Sequence, residues 1–406
     1  MITLYNPHVD DFLAEPPHFR LLKRRALKKY GFFIPSELAR VGEVRVLVDG
    51  TSSAFIQEKY FILLPAIFRN LIASVEFALW RKINNFDHRV KRVAAPTIPV
   101  EDVLLAFSYK AATGGFLLRK ALLSRHKAVV FHLSHYFVLT GEKAKNISEL
   151  DNAWLAGDSD ISDNSYFKNF FSWYRRDFLI LSFSVAARFK ELRPFNERQR
   201  RCIATGSFHD LTQEVPANKY TDYLSVAGFS TYHPVRKALY ECAAEVSESI
   251  ECKISPYRPI EKVSNLKRLL RHFSVAQKNY FAIDIVELYN NYQCAVIGEE
   301  YSGFPALGSF EAMACGCILI GEPGAYAGLG LIEGEHFVPH DGTIESLMKA
   351  IRQVVGRDEG ARISSKGREF VEKNFRPEKV HFRWISNLDA LQPNDVASVS
   401  TKGGCS

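Results

Sequence analysis

The chain has 406 residues, of which 47% are hydrophobic and 24% are charged. This composition is that of a globular protein long enough for two domains, and it excludes a disordered or collagen-like chain. The formal net charge of +7 permits attraction to anionic lipids or acidic glycans, whereas the dispersed basic residues and the lack of a basic–aromatic platform argue against nucleic acid as a partner.

The N-terminus, the most apolar window and the cysteines together predict a cytoplasmic protein. Residues 1–7 lack the charged and then apolar order of a secretory signal. The window 60–80 contains Pro65, Arg69 and Glu76, so we expect it to form core helices rather than a membrane span. The seven cysteines include no Cys-x-x-Cys pair and are expected to be reduced thiols.

A basic run at 20–29 is the densest cluster of charge near the start of the chain. Phe19, Leu22, Ala26 and Tyr30 lie near one side of it. The segment therefore predicts either a cationic helix in peripheral contact with a membrane, or a solvated helix with a small core-facing stripe.

The first half of the chain alternates strand-like and helix-like segments. Apolar runs of strand length predict four strands, at 44–48, 102–107, 128–133 and 178–184. Helical patterns cover 54–84 and 116–123, and Gly114-Gly115 opens the second of them. This alternation favours a parallel sheet covered on both faces.

The second half repeats the alternation after a polar connection at 193–198. An apolar run at 201–205 predicts the first strand of a second domain, and it leads into Gly206 and Ser207. Further elements are expected as strands at 295–297 and 336–339 and as helices at 346–355 and 379–391.

A glycine-rich segment and the apolar run after it form the most informative part of the sequence. Gly303 and Gly308 mark a loop where the backbone turns sharply or comes close to a ligand, and 308–315 has helical composition. Gly316 is where that helix would stop, and 317–320 is an apolar run of strand length. Unpaired N–H groups at the start of such a helix suit a phosphate or diphosphate.

This order of parts resembles the donor-nucleotide site of GT-B glycosyltransferases. In the common retaining families of that class the pattern is Glu, seven residues, Glu, and then Ala-Met-Ala-x-Gly. Glu311 matches the second glutamate and 312–316 match the Ala-Met-Ala-x-Gly run, but Gly303 occupies the position of the first glutamate, which contacts the transferred sugar in those families. The resemblance covers about 201–375 and leaves the sugar open.

The resemblance implies an α/β protein of GT-B fold, with two Rossmann-like doubly wound domains that face a cleft. It implies an enzyme that moves a sugar from a nucleotide sugar to a glycan or a lipid-linked glycan, with no cofactor and no metal. We predict three parts: an acceptor-side domain at 1–195, a donor domain at 196–376, and a crossover helix with a mobile tail at 377–406.

The donor site is expected beyond the carboxyl ends of the second domain's strands. A glycine turn after the first strand borders the donor phosphates in GT-B enzymes, and the carboxylate of Glu311 could accept hydrogen bonds from ribose hydroxyls. The residues predicted to bind the donor are Gly206, Ser207, His233, Gly303, Leu307, Gly308, Ser309 and Glu311.

Catalysis requires a group that activates the acceptor hydroxyl. His132 and His135, which come after an apolar strand, and Glu142 just beyond them are the candidate bases. Asp210 could act as a nucleophile if configuration is retained, as in the retaining β-Kdo transferases of bacterial lipopolysaccharide assembly, which the chain also resembles. A structural role for each of these residues stays open.

The likeness places the protein in bacterial surface polysaccharide synthesis, at the inner face of the membrane, with CMP-Kdo as one candidate donor. Two other functions remain possible on the sequence. Asp158-Ser159-Asp160 matches the Asp-x-Asp pair of metal-dependent GT-A transferases, although we expect no apolar strand before it. The missing first glutamate also leaves open a nucleotide- or glycan-binding module without turnover.

Overall fold

A computed structural model describes residues 2–5, 44–47, 58–61, 63–84, 89–93, 99–106, 109–113, 115–135, 140–208, 230–256 and 284–391. The basic run at 20–29, Asp210 and the predicted tail from 394 lie outside these residues, as does the side chain of His135. The chain folds into two compact units. Unit 1 comprises 1–157, 169–179 and 381–406, and unit 2 comprises 158–168 and 180–380.

Unit 1 is built on a parallel sheet. Its strands are β1 (Ile2–Tyr5), β2 (Val44–Leu47), β3 (Val90–Val93), β4 (Val103–Ala106), β5 (Ala128–His132), β6 (Ala153–Gly157) and β7 (Leu179–Ile180). The spatial order is β3-β2-β1-β4-β5-β6-β7, and every pairing from β3 to β6 is parallel. This is the Rossmann order with one added strand, and β4, β5 and β6 are buried at every position, as expected when helices cover both faces.

The described helices of unit 1 agree with the predicted pattern, with one correction. They are α1 (Glu58–Phe61), α2 (Ala66–Asn84), α3 (Phe116–Ser124) and α4 (Thr140–Ser148). Gly115 precedes α3 with φ of +72°, which only glycine adopts without strain. The expectation that 60–80 forms core helices is wrong for much of α2, because α2 buries Ala73 and Phe77 but exposes Ile67 and Leu71. None of the described helices is long and apolar enough to span a membrane.

Unit 2 carries a second parallel sheet. Its strands are β8 (Gln199–Phe208), β9 (Ile250–Pro256), β10 (Tyr292–Val296), β11 (Ile318–Gly321) and β12 (Val338–Pro339), in the order β12-β11-β10-β8-β9. Every pairing is parallel. Alternate residues of one strand serve opposite faces, since Ala295 packs in one apolar cluster while Cys294 and Val296 pack in the other.

Helices cover both faces of this sheet. They are α6 (Pro234–Glu241), α7 (Ile285–Asn290), α8 (Leu307–Ala314), α9 (Ile344–Val354) and α10 (Asp358–Asn374), and α11 (Pro377–Asp389) runs from unit 2 into unit 1. The short helix α5 (Ser165–Phe170) lies where the chain returns from unit 2 to unit 1. The predicted loop, helix and strand at 303–320 are present as a loop, α8 and β11, and Gly316 ends α8 with φ of +82°.

The predicted domain limits and the compact units differ in two segments. Residues 158–168 and 180–195, which we expected in the first domain, lie in unit 2. The predicted strand at 178–184 is reduced to β7, because the chain leaves unit 1 at Ile180. The expectation of no apolar strand before Asp158 is also wrong, since β6 is fully buried and ends at Gly157.

Candidate functional site

The topology of unit 2 predicts where a ligand binds. From β8 the chain moves to β9 on one side, and it returns on the other side to form β10. In an open parallel sheet the crevice outside the carboxyl ends of two such strands is the usual ligand site. Gly206 and Ser207 lie near the end of β8, and the loop 297–306 comes directly after β10.

Arg236, in the first turn of α6, joins these two strand ends. Its guanidinium donates to the carbonyl of Ser207 at 2.8 Å, to that of Ile297 at 2.6 Å and to that of Gly298 at 2.8 Å. A planar group with five N–H donors can bind several carbonyls at once, as lysine cannot. Arg236 therefore fixes the spacing of the switch point and places a positive charge there.

Two glycines make room for this arginine. Gly206 has φ of +128° and Gly298 φ of +68°. A Cβ at Gly206 would lie 3.1 Å from Nε of Arg236, and one at Gly298 would lie 2.8 Å from its Cγ. Glycine is thus required at both positions for conformation and for space.

The loop after β10 is held by its backbone. The N–H of Gly303 donates to the carbonyl of Glu300 at 2.8 Å, and the N–H of Tyr301 donates to the carbonyl of Tyr232 at 2.7 Å. The second bond brings the loop beside the segment that carries His233, the residue that precedes α6. The loop 297–306, which we call the 303 loop, therefore lies at the same end of the sheet as three other predicted donor residues: Gly206, Ser207 and His233.

The missing first glutamate has a physical explanation. Gly303 has φ of +87°, and a Cβ there would lie 2.6 Å from Nδ2 of Asn164 and 3.4 Å from Ile161. Asn164 is fixed in this place because its Oδ1 accepts the N–H of Tyr166 at 2.7 Å, at the start of α5. A glutamate at 303 would overlap this amide, so the departure from the family pattern is built into the packing of 158–168 within unit 2.

Helix α8 begins without a side-chain cap. Ala306 is its N-cap residue, and within the described part of the chain the N–H groups of Leu307 and Gly308 donate to no backbone carbonyl. Gly308 packs tightly, since a Cβ there would lie 3.1 Å from both Ile297 and the hydroxyl of Tyr289. Two free N–H groups and the positive end of the helix dipole suit an anion such as a phosphate.

The opposite end of α8 is closed by Arg198. This buried arginine donates to the carbonyl of Cys315 at 2.8 Å and to that of Arg193 at 2.7 Å. Eight residues of helix, about 12 Å at 1.5 Å per residue, separate it from the free N–H groups. Arg198 is therefore a structural residue here and not a phosphate ligand.

Glu311 and Ser309, both predicted at the donor site, differ in burial. Glu311 lies one turn into α8 and is half-buried. Ser309 is fully buried, its hydroxyl is hydrogen-bonded to that of Tyr326 at 3.2 Å, and its N–H donates to the carbonyl of Ala306 at 3.0 Å. Both polar groups of Ser309 are therefore engaged within unit 2.

A buried polar network lies beside α8, at the carboxyl ends of β10, β11 and β12. Oε1 of Glu299 accepts from the hydroxyl of Tyr326 and from the N–H of Glu322, the latter at 3.3 Å. Among the described residues, Oε2 of Glu299 and Nε2 of His340 have no hydrogen-bond partner, and they lie 4.0 Å apart. Burial, and secondarily the charge of Glu322, raises the pKa of Glu299 to about 7, while burial lowers the pKa of His340 to about 4.

The distances within this network would allow a metal ion, since ligand atoms of Glu299, Glu322 and His340 lie within 4.8 Å of one another. The tautomer of the histidine argues against one. Nδ1 of His340 accepts the N–H of Gly342 at 3.0 Å, so the ring proton of neutral His340 is on Nε2, the atom that faces Glu299. We interpret the cluster as a proton-carrying network, and the absence of a metal requirement stays a prediction.

Two solved structures have a fold similar to that of this chain. Sucrose-phosphate synthase from Thermosynechococcus elongatus is 12% identical, with a TM-score of 0.51, and the match covers 95% of this chain and 97% of the synthase. HepE of Anabaena, solved with UDP and glucose, is 11% identical, with a TM-score of 0.50, and the match covers 96% of this chain and 99% of HepE. The chain thus has the two-domain GT-B fold predicted from the sequence.

Residues 263–384, which include the 303 loop and α8, match the family described as glycosyl transferase-like. The protein is a glycosyltransferase. A search of curated protein sequences found no match to the chain.

The candidate bases of this glycosyltransferase lie in unit 1. His132 is the last residue of β5 and is buried, and its ring stacks on Trp384 of α11 with centroids 6.3 Å apart. Glu142 lies in the first turn of α4, rather than in a loop, and is exposed. His135 ends a short 3₁₀ turn, Leu133–His135. The catalytic roles of His132, His135 and Glu142 stay predictions.

The Asp-x-Asp segment belongs to the packing of unit 2. Asp158 and Ser159 are buried, and the N–H of Asp160 donates to the carbonyl of Ala327 at 3.0 Å. Oδ1 of Asp160 accepts from the N–H of Ser162 at 2.9 Å. Together with the GT-B fold, this arrangement overturns the GT-A alternative for the glycosyltransferase.

Sequence reasoning missed several residues of the glycosyltransferase that shape the site. Arg236 lies three residues after His233, and a proline at the start of a helix with an arginine in its first turn could have indicated it. Asn164 gives no signal in sequence, because its role depends on packing against Gly303. Outside this site, in α4 of unit 1, Lys143 is fully buried, and burial lowers its pKa to about 6, against the smaller opposing effect of Glu142.

Proposed function

We propose that the protein transfers a sugar from a nucleotide-sugar donor to a glycan acceptor and binds the donor at the carboxyl end of the unit 2 sheet. The observation that carries this proposal is the uncapped start of α8, with the free N–H groups of Leu307 and Gly308, at the switch point of a glycosyl transferase-like segment. These N–H groups would bind the donor phosphates. Glu311, one turn further along, would accept from the ribose hydroxyls.

The fold neighbours support the choice of donor class. HepE of Anabaena was also solved with UDP-glucose, at 12% identity and a TM-score of 0.50. At such identity only the fold is shared, so the base and the sugar used by this protein are open. CMP-Kdo is our candidate donor. A glutamate at position 303 would find fewer sugar hydroxyls to bind on a 3-deoxy sugar such as Kdo, and this chain has Gly303, without a side chain, at that position.

The acceptor proposal is a glycan or lipid-linked glycan of a bacterial surface polysaccharide, modified at the inner face of the membrane. We further propose that configuration is retained, with Asp210 as nucleophile and with His132, His135 or Glu142 acting on the acceptor, and that no metal is needed. The anomeric configuration of the product, measured by NMR, tests retention. An inverted product would remove the nucleophile role of Asp210.

The donor site is tested by nucleotide affinity. We expect Glu311→Ala to weaken nucleotide binding about 100-fold, because a carboxylate that accepts two hydroxyl hydrogen bonds contributes about 3 kcal/mol. Isothermal titration with UDP, GDP and CMP, and with their sugars, measures the effect. Glu345→Ala is the matched control, since Glu345 is an exposed glutamate in the first turn of α9.

If Glu311→Ala and Glu345→Ala both bound nucleotide as tightly as the unchanged protein, the nucleotide would bind elsewhere. Nucleotide binding without product from any acceptor would instead favour the alternative of a binding module without turnover. The two results are distinguishable, because the first concerns binding and the second concerns chemistry.

A further inference from the structure

Three buried side chains of unit 2 join the carboxyl end of β10 to the first turn of α8. The hydroxyl of Tyr326, which ends a 3₁₀ turn after β11, is hydrogen-bonded to Oε1 of Glu299 and, at 3.2 Å, to Oγ of Ser309. None of the three residues is more than 3% exposed. We call these three side chains the Tyr326 link, and it connects segments that are distant in the sequence.

The number of protons fixes the direction of the hydrogen bonds in the Tyr326 link. A phenol donates one hydrogen bond, and a carboxylate only accepts. When Glu299 is ionised, Tyr326 must donate its proton to Glu299, so the hydroxyl of Ser309 donates to the oxygen of Tyr326. The orientation of the Ser309 side chain therefore depends on Glu299 through Tyr326.

The packing around Tyr326 holds its hydroxyl in place. The ring lies against Phe310 and Phe337, with centroids 5.9 and 5.2 Å from that of Tyr326. Gly321, at the end of β11, has no space for a Cβ, which would lie 2.7 Å from Cε2 of Tyr326 and 2.9 Å from Oε1 of Glu299. Because the surroundings are close-packed, Tyr326 cannot shift without moving its neighbours.

Ser309 is where the Tyr326 link meets the proposed anion site. It directly follows Leu307 and Gly308, whose N–H groups donate to no backbone carbonyl within the described part of the chain. Of these first three residues of α8, only Ser309 has a side chain that can form a hydrogen bond, and the N-cap residue Ala306 has none. Side-chain hydrogen bonding therefore holds the first turn of α8 at Ser309.

We propose that the Tyr326 link is a set of positioning residues that holds the first turn of α8, so that the N–H groups of Leu307 and Gly308 point at the donor phosphates. A hydrogen bond weakens steeply as its angle departs from linear, so a small rotation of this turn weakens both bonds to an anion. Ser309 acts without touching the ligand, because its hydroxyl and its N–H are engaged within unit 2. The inference rests on the proposed function and adds residues that act on phosphate binding indirectly.

Removal of single hydroxyls tests the proposal, with the affinity for a nucleotide compared with that for its own nucleoside. The full chain is titrated at pH 8, above the pKa of Glu299 of about 7, with CMP, UDP and GDP and with the nucleoside of each. Tyr326→Phe and Ser309→Ala should each weaken nucleotide binding about fivefold, the effect of one hydrogen bond. Neither should change nucleoside binding, because a nucleoside has no phosphate to accept from the N–H groups. The double variant should lose no more than either single variant, since both changes interrupt the same link.

Tyr174→Phe is the matched control. Tyr174 is a buried tyrosine of unit 1 whose hydroxyl also makes two hydrogen bonds, since it accepts from the N–H of Leu155 at 3.1 Å and donates to the carbonyl of Asp177 at 3.0 Å. This variant should lose stability without a change in the affinity for nucleotide or nucleoside.

Two results would overturn the proposal. Equal weakening of nucleotide and nucleoside binding by Tyr326→Phe would do so, because a general loosening of unit 2 would then explain both losses. Full nucleotide affinity in both single variants would also do so. In that second case the donor site is still supported if the phosphates tighten binding to the unchanged protein, and it is overturned as well if they do not, so the two failures are distinguishable.

Discussion

The carboxyl ends of the two sheets are built in different ways. In unit 2 the backbone dominates: Gly206, Gly298 and Gly303 take positive φ, Arg236 binds three carbonyls, and α8 begins with free N–H groups. In unit 1 the candidate groups are individual side chains in unlike settings. There His132 is buried against a tryptophan and Glu142 is exposed.

This difference reflects the ligand that each end would bind. A phosphate or diphosphate and a ribose are common to many nucleotide-sugar donors, so backbone N–H groups and one carboxylate are sufficient to hold them. An acceptor differs from enzyme to enzyme and requires side chains chosen for it. The proposed donor site could therefore be predicted from glycines and a short motif, whereas the proposed acceptor side could not.

The largest expected effect tests whether the backbone geometry of unit 2 depends on Arg236. Gly298→Ala should lower the free energy of unfolding by about 3 kcal/mol, since the new Cβ would add strain at positive φ and displace an arginine that holds three hydrogen bonds. Gly334→Ala is the control, because Gly334 has φ of +70° with nothing within 4 Å of its Cβ position. It should cost about 1 kcal/mol from conformation alone. Urea unfolding measures the free energy of unfolding of both variants. Equal losses would show that Arg236 can move away from the new Cβ without losing stability.

A second prediction concerns the buried lysine of unit 1. Because burial lowers the pKa of Lys143 from 10.5 to about 6, the unfolded chain holds this proton over a range in which the folded chain does not. Stability should therefore rise with pH between about 6 and 10. Lys143→Met should remove this slope and be more stable than the unchanged protein, most of all near pH 6.

The matched control for this prediction is Lys145→Met, in the same helix but exposed. Its stability should track the unchanged protein at every pH. If Lys143→Met retained the slope, the amine would be charged inside unit 1. Lys143 would then join His132 and Glu142 as a charged group available to the acceptor side.

The sequence predicted the strands and helices better than the side-chain contacts that position the site. Apolar runs gave most strands of both sheets, and Gly316 marked the end of α8 correctly. Strand β6 was missed because Trp154 and the small residues around it form a short run next to an acidic loop. The roles of Asn164, Arg236 and His340 depend on contacts between segments far apart in the chain, and local patterns carry no information on such contacts.

The smallest expected effect is in the network of Glu299 and His340, where two pH dependences oppose each other. The pKa of Glu299 is raised to about 7, so its contribution to stability is present below pH 4.5 and is lost as pH rises to 7. The pKa of His340 is lowered to about 4, so its contribution is present above pH 6.5 and is lost as pH falls to 4. Between pH 4.5 and 6.5 the two largely cancel.

Single substitutions should reveal each of the two pH dependences separately. Glu299→Gln leaves His340, so its stability relative to the unchanged protein should rise from pH 4.5 to 6.5, by about 1–2 kcal/mol. His340→Gln leaves Glu299 and should show the opposite slope, while the exposed Glu345→Gln should show none. If both network variants gave the same slope, the proton would be shared between the two residues and would titrate as one site. Because Tyr326 joins Glu299 to Ser309 in the first turn of α8, a network that titrates near neutral pH would also make nucleotide affinity pH-dependent, and Glu299→Gln should flatten that dependence.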